Sequence, residues 1–433
     1  MFHGHGADLG RHVGWFLFAF VFYLAAVLLV LRRGGSGQGE GGRRWDLALI
    51  LLAGLLFRAG LLLTTPSLSD DVFRYVWDGK LQNAGIPPYL YPPSAPEVAH
   101  LRGPLWEGIN HKEMASPYPP LAELLFAGVY RLAPDSLTAM QVAALFFDVG
   151  VMLLLVPMLA KWGADTRRVL IYGWNPLVLV QYSHSAHYDA AMVLPLLGGL
   201  FLLSMGRRWA SGAAVGLSAL VKLVPAAAVP VFAPAWGPVG VAAMVAVSLA
   251  GLVPWLREPA ALSGLLSEAG DARFNDSLGL LLLRAAGLVA PDPEPLARGA
   301  ANLLLLGCSL YLGWRVLAGR RGWGEVLPAV YGLLGIFILL NPVVEPWYLA
   351  WIVPFLCFLL PSAPRRRALL TPELGWLLLS GLVILTDLTY DLGFSPSGWI
   401  WIRALEYGPL YLLLATRLWG TLNAPSPPVV SDS

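Results

Sequence analysis

Cysteine and charged residues are both scarce in this chain of 433 residues. The two cysteines, Cys308 and Cys357, each lie within an apolar run, so no disulfide framework is implied. Charged residues make up 13% of the chain, whereas a soluble domain carries about 25%. The net charge is only +2 and no basic tail or arginine-rich arm occurs, so nothing in the sequence indicates a nucleic-acid partner.

Several signatures of soluble enzymes are also missing. The chain has no Walker phosphate loop, no GxSxG turn and no dinucleotide fingerprint. Apolar sequence is abundant instead: 57% of the residues are hydrophobic, in runs of about twenty, the length that crosses a bilayer as a helix. These runs predict an all-α polytopic membrane protein. It would be one transmembrane domain over residues 1–433, with about 12 to 13 membrane-spanning helices.

Arginines set the predicted orientation, because they are retained on the cytoplasmic side of a membrane. An extra amino-terminal helix and an inner loop occupy residues 1–44, and outer loops with interfacial helices occupy 64–117 and 257–290. The apolar segment 118–133 is short, and a crossing there would move Lys161 to the outside. We therefore predict that this segment is an interfacial helix. The predicted inner loops carry Arg32, Arg33, Arg43, Arg44, Arg167, Arg168, Arg207, Arg208, Arg320, Arg321, Arg365, Arg366, Arg367 and Arg417.

The apolar stretch around Lys222 is too long for one span and too short for two. Gly212, Gly216 and Pro225 interrupt its pattern, which predicts a broken hairpin with Lys222 near the outer apex. Broken helices often line polar sites in membrane proteins. The alternative is that Lys222 only extends toward the lipid headgroups.

The segment Ser69–Tyr91 follows a membrane span and opens with two adjacent aspartates. Its spacing predicts a helix from Asp71 that ends at Gly85. One face carries charge and the other is aromatic, so we expect the helix to lie in the interface with its aromatic side toward lipid. The charged face consists of Asp71, Arg74 and Asp78, and the apolar face of Phe73, Val76 and Trp77. A second helix is expected over residues 97–110, and a span over 168–183.

The predicted topology brings polar residues from separate loops to one side of the membrane. We expect them to form one polar cavity at the outer interface. These residues are Asp70, Asp71, Asp78, His184, His187, Asp189, Asn275, Asp276, Glu345 and Asp387.

Such a cavity can support acid–base chemistry on a phosphate-linked substrate. Asp70 and Asp71 offer a general base, or oxygen ligands for Mg²⁺ or Mn²⁺. The residues predicted to hold the phosphate are Lys222, Arg74, His184, His187 and Arg273. The residues predicted to contact substrate are Asp78, Tyr89, Tyr118, Asp189, Asn275, Glu345, Trp347 and Tyr348. A zinc site on His184, His187 and Asp189 is the less favoured alternative, because the spacing is not helical.

Seven motifs, in this order, resemble the GT-C glycosyltransferases. They are SDDVFRYVWDGKLQNAGIPPYLY, INHKE, SPYPPL, WNPLVLVQYSHSAHYDA, GLSALVKLVPAAAVPVF, RFNDSL and EPWYLAWIVPF. The combination is most similar to the family 87-like, polyprenyl-phosphate-mannose-dependent mannosyltransferases of bacteria. It is more distantly similar to the catalytic subunit of GPI mannosyltransferase I. The resemblance covers roughly residues 45–360.

The resemblance implies an inverting transfer of a sugar, mannose in the closest families, from a polyprenyl-phosphate donor to a lipid or glycan hydroxyl. It places the enzyme in the bacterial inner membrane with its site facing the periplasm, and it maps the catalytic base onto Asp70 or Asp71. The sequence departs from the family pattern at GIPPY, where NPY is common, and at AHYDA, where HND is common. These departures leave the donor sugar and the acceptor open.

Two alternatives remain at this point, a flippase for lipid-linked sugars and a ligase or polymerase with a lipid-pyrophosphate donor. A transporter would show repeated halves, which this chain lacks. A ligase typically depends on a large late loop, whereas the longest outer loop here is early and acidic. Between the two aspartates the sequence favours Asp70 as base, because Asp71 shares a helix face with Arg74 and is expected to pair with it.

Overall fold

The computed structural model describes residues 6–33, 40–256, 273–362, 370–391 and 396–422. Within these ranges the chain is helical and has no strand, apart from one isolated parallel bridge between Phe274 and Val343. The helices are α1 (Gly6–Arg33), α2 (Glu40–Leu62), α3 (Asp71–Asn83), α4 (Pro120–Leu132), α5 (Leu137–Trp162), α6 (Leu170–Gly173), α7 (Pro176–Leu179), α8 (Ala190–Ser204), α9 (Arg208–Val221), α10 (Val229–Leu256), α11 (Leu278–Ala286), α12 (Pro293–Ala318), α13 (Trp323–Leu340), α14 (Pro346–Leu349), α15 (Val353–Leu359), α16 (Pro372–Leu382), α17 (Leu388–Asp391) and α18 (Pro396–Leu422).

Six helical segments in the described part are long and apolar enough to cross a membrane. Five of them are largely exposed, as lipid-facing helices are, and Trp323–Leu340 is mostly buried among the others. The all-α polytopic class is therefore confirmed. The finer count of about 12 to 13 spans and the GT-C arrangement stay predictions. Parts of the predicted loops lie outside the described residues: 257–272 of the second outer loop, 392–395, and the inner-loop arginines 365–367.

Helix α3 begins at Asp71 as predicted and ends at Asn83, with Gly85 in the left-handed region (φ +78) directly after it. Its placement differs from the prediction, because neither face contacts lipid. Trp77 packs under the outer loop, and Arg74 and Asp78 are buried toward α4. A hydrophobic pattern reports only that a face is buried, and here two protein surfaces bury both faces.

Helix α4 has 13 residues, a length of about 20 Å. This is shorter than the bilayer core of about 30 Å, which supports the prediction that segment 118–133 does not cross. The predicted helix over 97–110 is instead two short 3₁₀ turns, Pro96–Leu101 and Pro104–Gly108. Pro104 cannot donate to a helix that continues through it, so the chain restarts there.

The predicted span over 168–183 is also interrupted. The chain runs through a 3₁₀ turn at Thr166–Val169 and α6, then breaks at Asn175 before α7 and a wide turn at Val180–His184. The break is stable because the Asn175 side chain accepts hydrogen bonds from the backbone N–H groups of Leu177 and Val178. This is an N-cap, and Pro176 at the first helical position completes it.

The broken hairpin around Lys222 is present. Helix α9 ends at Val221, Lys222 is extended (φ −150, ψ 136), and the chain returns toward Trp236, whose indole donates to the Ser211 hydroxyl over 2.8 Å. Within α10, Gly237 has a non-helical backbone (φ 65, ψ −172). The residues after it then run alongside α9 in the same direction, with Gly240 against Gly212 and Gly251 against Leu220. Lys222 therefore lies at the apex, where the sequence places it.

One ion pair ties the first membrane helices together. The Arg58 guanidinium donates to both Asp148 carboxylate oxygens, over 2.7 and 2.9 Å, and to the carbonyls of Gly54 and Gly173. The Tyr172 hydroxyl donates to the same carboxylate over 2.7 Å. Both charged side chains are at most 1% exposed. Charges at such depth need partners, and these partners fix α2 against α5 and α6.

Removing one member of this pair leaves the other charge buried alone. We expect Arg58→Leu to destabilise the protein by about 3–5 kcal/mol, and the double variant Arg58→Leu/Asp148→Leu to recover part of that loss. Thermal unfolding of the purified protein measures both. The matched control is Lys80→Ala, which breaks a pair whose side chains are 21% and 50% exposed and should cost at most about 1 kcal/mol. Equal effects of Lys80→Ala and Arg58→Leu would contradict the structural role of the Arg58–Asp148 pair.

Candidate active site

The aspartate pair stands where the chain leaves α2 and starts α3. Asp70 is the N-cap residue of α3, and Asp71 is its first residue. The Asn110 amide donates to both carboxylates, over 2.8 Å to Asp70 and 2.9 Å to Asp71. The outer loop thus holds two like charges close together.

Asp71 also faces the interior of the protein. Its second carboxylate oxygen lies 3.5 Å from the Tyr75 hydroxyl and 3.7 Å from Nδ1 of His187. The His187 ring stacks on Trp347 with centroids 3.7 Å apart. Burial, and then the charge of Lys222, lowers the pKa of His187 well below its usual range, so this ring is neutral. Burial, and then the charge of Asp70, raises the pKa of Asp71 to about 6.

Lys222 enters the same region from the tip of the hairpin. Its ammonium donates to Asp189 over 2.6 Å and lies above the rings of Tyr188, Tyr348 and Trp351, 4.7 to 5.5 Å from their centroids. The Trp351 indole donates to the same Asp189 oxygen over 2.8 Å. The aromatic faces and the carboxylate stabilise a cation here, so Lys222 is held in place and does not extend freely toward the headgroups.

The segment Asn341–Tyr348 closes another side of the site. It is pinned by the bridge to Phe274, whose N–H donates to Pro342 over 3.0 Å and whose carbonyl accepts from Val344 over 2.8 Å. Glu345 follows directly. Burial, and then the negative charges of Asp71 and Asp387, raises the pKa of Glu345 well above its usual range. The site therefore contains several carboxyl groups around one ammonium.

Arg74 does not pair with Asp71, and this expectation is wrong. Its Nε donates to Asp78 over 2.9 and 3.1 Å, with both side chains buried. Beside them, Glu123 of α4 accepts from Ser116 and Gln82. Burial, and then the charge of Asp78, raises the pKa of Glu123 well above its usual range. This second polar cluster joins α3 to α4, so Arg74 and Asp78 serve packing here and are directed away from the aspartate pair.

His184 and Arg273, both predicted to hold phosphate, are also engaged elsewhere. The two ring nitrogens of His184 contact the hydroxyl of Thr64, over 2.6 Å, and the backbone N–H and hydroxyl of Ser67, over 3.2 Å each. Arg273 donates to Asp276 over 2.7 Å and to Glu294 over 2.8 and 3.1 Å. His184 fastens the loop after α2, and Arg273 fastens α12 to the segment before α11.

Tyr89 and Tyr118, both predicted to contact substrate, lie in different environments. The Tyr89 hydroxyl donates to the backbone carbonyl of Tyr118, which anchors the outer loop. The Tyr118 ring packs edge to face against Tyr75, Phe126 and Tyr188, with centroids 5.5 to 5.6 Å apart. Tyr118 is therefore part of an aromatic wall that supports Tyr75 beside Asp71.

Sequence reasoning missed three residues of this region, Asn110, Tyr75 and Trp351, and also the role of Asp189 as the counter-ion of Lys222. Asn110 lies forty residues after Asp70, and no local pattern joins them. Tyr75 is one turn after Asp71, a spacing that could have indicated the contact. The other expectations divide as follows: Lys222, His187, Asp189, Trp347 and Tyr348 gather near Asp71, whereas the side chain of Asn275 lies with the last helices.

Chemically, the arrangement combines a carboxylate with a raised pKa, a neutral histidine beside it and a fixed ammonium. Such groups can take a proton from a hydroxyl and stabilise an anion that leaves. Among the described residues, no group of three or more His, Cys, Asp or Glu side chains has an arrangement that could hold a metal ion. A divalent cation on Asp70 and Asp71 stays a prediction.

An all-α polytopic membrane protein that gathers these groups in one region has the parts of a membrane-embedded group-transfer enzyme. The chain belongs to the MptA_B family, whose description is alpha-(1->6)-mannopyranosyltransferase, N-terminal domain, and residues 3–238 match it. This confirms the resemblance found in the motifs.

Two characterised relatives are similar at low identity. One is the polyprenol-phosphate-mannose-dependent alpha-(1-2)-phosphatidylinositol pentamannoside mannosyltransferase of Mycolicibacterium smegmatis, 27% identical over 285 residues, which are 60% of this chain and 64% of the relative. The other is alpha-(1->6)-mannopyranosyltransferase A of Mycobacterium tuberculosis, 26% identical over 403 residues, which are 83% of this chain and 75% of the relative. The match thus spans less than two thirds of the first relative's length.

Proposed function

We propose that this protein transfers a mannosyl group from polyprenyl-phosphate mannose to a hydroxyl of a membrane glycolipid or glycan. The family and the names of both relatives support mannosyl transfer, and one relative is named for the polyprenol-phosphate-mannose donor. The observation that carries the proposal is that Asp71 lies near enough to Lys222 for the ammonium to act on its carboxyl, while Asp189 holds the ammonium in place, so that a base and a cation are supplied together.

The proposed step is a single displacement. The acceptor oxygen bonds to the anomeric carbon and loses its proton to a carboxylate. The bond between that carbon and the phosphate oxygen breaks, and its electron pair leaves with the polyprenyl phosphate. The Lys222 ammonium stabilises the negative charge of this leaving group. The base and the cation come from different elements, α3 and the hairpin tip. Attack from the side opposite the phosphate fits this placement and inverts the anomeric carbon.

We propose Asp71 as the base. The sequence disfavours Asp71 as the base because Asp71 is expected to pair with Arg74, but Arg74 pairs with Asp78 instead. Asp71 contacts Tyr75 and His187 on the interior side. Its pKa of about 6 lets it be ionised at neutral pH and still accept a proton. Asp70, held by the same Asn110 amide, is proposed to tune that pKa through its charge.

Asp71→Asn should lower the turnover rate by about 10²–10⁴-fold with little change in donor affinity.

Wild-type activity should rise with pH up to about 6 and then level off, because a carboxylate is ionised above its pKa. Asp70→Asn should keep more activity and move this acidic limb to lower pH, since the Asp70 charge raises the pKa of Asp71. Steady-state rates against pH measure all three proteins. An inactive Asp70→Asn with an active Asp71→Asn would reverse the assignment, and two active variants would place the base elsewhere.

Lys222 is proposed to bind the donor phosphate. An anion next to the bilayer is strongly disfavoured without a cation, and the ammonium is already positioned by Asp189 and three rings. Asp189 and Trp351 are then positioning residues. Trp347 and Tyr348 offer aromatic surface for the sugar ring or the prenyl chain.

Lys222→Met should weaken donor binding by about ten- to a hundredfold, the loss of one charged hydrogen bond. Binding of the lipid donor to purified protein measures this. The variant leaves the buried Asp189 without its cation, which could destabilise the fold. The double variant Lys222→Met/Asp189→Asn is therefore measured beside it, so that a loss of donor binding is distinguished from a loss of folding. The control is Lys112→Met, which removes an ammonium that lies over Trp106 in the outer loop. Unchanged donor affinity in both Lys222 variants would exclude the phosphate role.

The site is proposed to face the extracytoplasmic side of the bacterial inner membrane. The support is the arginine distribution and the short α4, which leaves α3 and the start of α5 on the same side. In a background without Cys308 and Cys357, we expect Glu107→Cys to react with an impermeant maleimide on intact cells and Lys161→Cys to react only after lysis. Labelling of the Lys161→Cys protein on intact cells would mean that α4 crosses.

A further inference from the structure

A cluster of buried polar side chains lies between the segment Arg273–Ser277, the 3₁₀ turn Val383–Asp387 and α18. We name it the carboxy-terminal polar cluster; its members are Asn275, Thr386, Asp387 and Glu406. Three of them are 0% exposed, and Asp387 is 7% exposed. None has a role in the chemistry proposed above.

The cluster is unusual because its polar atoms lack partners. In the part of the chain that the structure describes, both amide atoms of Asn275, both carboxyl oxygens of Glu406 and the Thr386 hydroxyl make no hydrogen bond within 3.5 Å. The Asn275 amide and the Thr386 backbone both approach the Glu406 carboxyl, but neither contact has the distance and angle of a hydrogen bond. Buried polar groups in folded proteins are nearly always satisfied. Five unsatisfied atoms at one place indicate that they serve a polar ligand.

The backbone at this place is also strained. The backbone of Asn275 adopts a left-handed conformation (φ 47), which residues other than glycine rarely take. Its carbonyl accepts a hydrogen bond from the Tyr407 hydroxyl over 2.9 Å, so α18 holds the residue there. Strained residues that the surroundings hold in place concentrate at binding sites.

The carboxy-terminal polar cluster is connected to the region of Asp71 through Phe274 and Glu345. Phe274, next to Asn275, bonds to the segment that carries Glu345. The charges of Asp71 and Asp387 both act on Glu345, so Glu345 is near the base and near the cluster. Residues 3–238 match the family, and the cluster lies beyond that range.

The chemistry of the cluster selects a neutral ligand with several hydroxyls. It presents two carboxyl groups, an amide and a hydroxyl, which are partners for O–H groups. The nearby cations are directed to acids: Arg273 and Arg403 both pair with Asp276, each over 2.7 Å. The four members of the cluster include no cation that could hold a phosphate. We infer that the carboxy-terminal polar cluster, with Glu345, binds the sugar unit of the acceptor. The assignment to the acceptor rests on the proposed function.

The test is a titration of the full-length protein with methyl α-mannoside, and separately with inorganic phosphate. We expect the wild type to bind the mannoside, and Glu406→Gln and Thr386→Val each to weaken it by about fivefold or more, as lost hydrogen bonds do. Both substitutions keep side-chain volume, and thermal unfolding checks that they fold. The matched control is Glu294→Gln, which disturbs the neighbouring pairs with Arg273 and Arg298 but does not face the cluster, and it should bind as the wild type does.

Absence of mannoside binding in the wild type, equal affinity in all four proteins, or phosphate binding that the same two substitutions abolish would each overturn the inference. Turnover of polyprenyl-phosphate mannose is measured in parallel. Its absence in the wild type would overturn the proposed function, whereas the mannoside titration decides the sugar site. Where turnover occurs, Glu406→Gln should raise the KM for the acceptor and leave the KM for the donor unchanged. The opposite split would also overturn the inference.

Discussion

A charge inside or beside a bilayer needs a partner, and this requirement organises the protein at three depths. Arg58 and Asp148 neutralise each other among the membrane helices and hold α2 against α5 and α6. Arg74 and Asp78 do the same between α3 and α4. Lys222 and Asp189 form the third pair, which joins the tip of the hairpin to the start of α8. The first two pairs are almost fully buried, whereas Lys222 of the third pair is partly exposed and lies over three aromatic rings. We therefore assign the first two pairs to structural support and the third to the chemistry.

Much of the fold follows from local sequence. The start of α3 at Asp71, the short α4 and the break at Lys222 were all predicted, because each depends on residues within one or two turns. The outward position of the acidic loops is inferred from the arginines alone and stays a prediction. These features are local or statistical, and hydropathy reads them directly.

The partners of each charge could not be predicted in the same way. Arg74 has an aspartate three residues before it and another four residues after it, and both spacings permit a pair on a helix. Arg74 pairs with Asp78 because α4 buries that face of α3 and places Glu123 beside it. Helix α4 lies about forty residues further along the chain, so no local spacing predicts this choice. Asn110 is similar, since only the folded outer loop brings it to Asp70 and Asp71. The lipid-facing orientation expected for α3 failed for the same reason: the outer loop covers the side that periodicity marks as apolar.

The unequal environments of Asp70 and Asp71 follow from these long-range contacts. Two neighbouring carboxylates at a helix start would be alike in an isolated peptide. Here Asn110 joins them, while the Tyr75–Tyr118–Phe126 wall and the stacked His187 and Trp347 bury only the inner side of Asp71. Burial raises the pKa of Asp71, and the charge of Asp70 raises it further. The outer loop is therefore more than a cover: its Asn110 amide donates to both carboxylates, and this hydrogen bond lowers the pKa of Asp71 against the larger rise from burial and from the charge of Asp70.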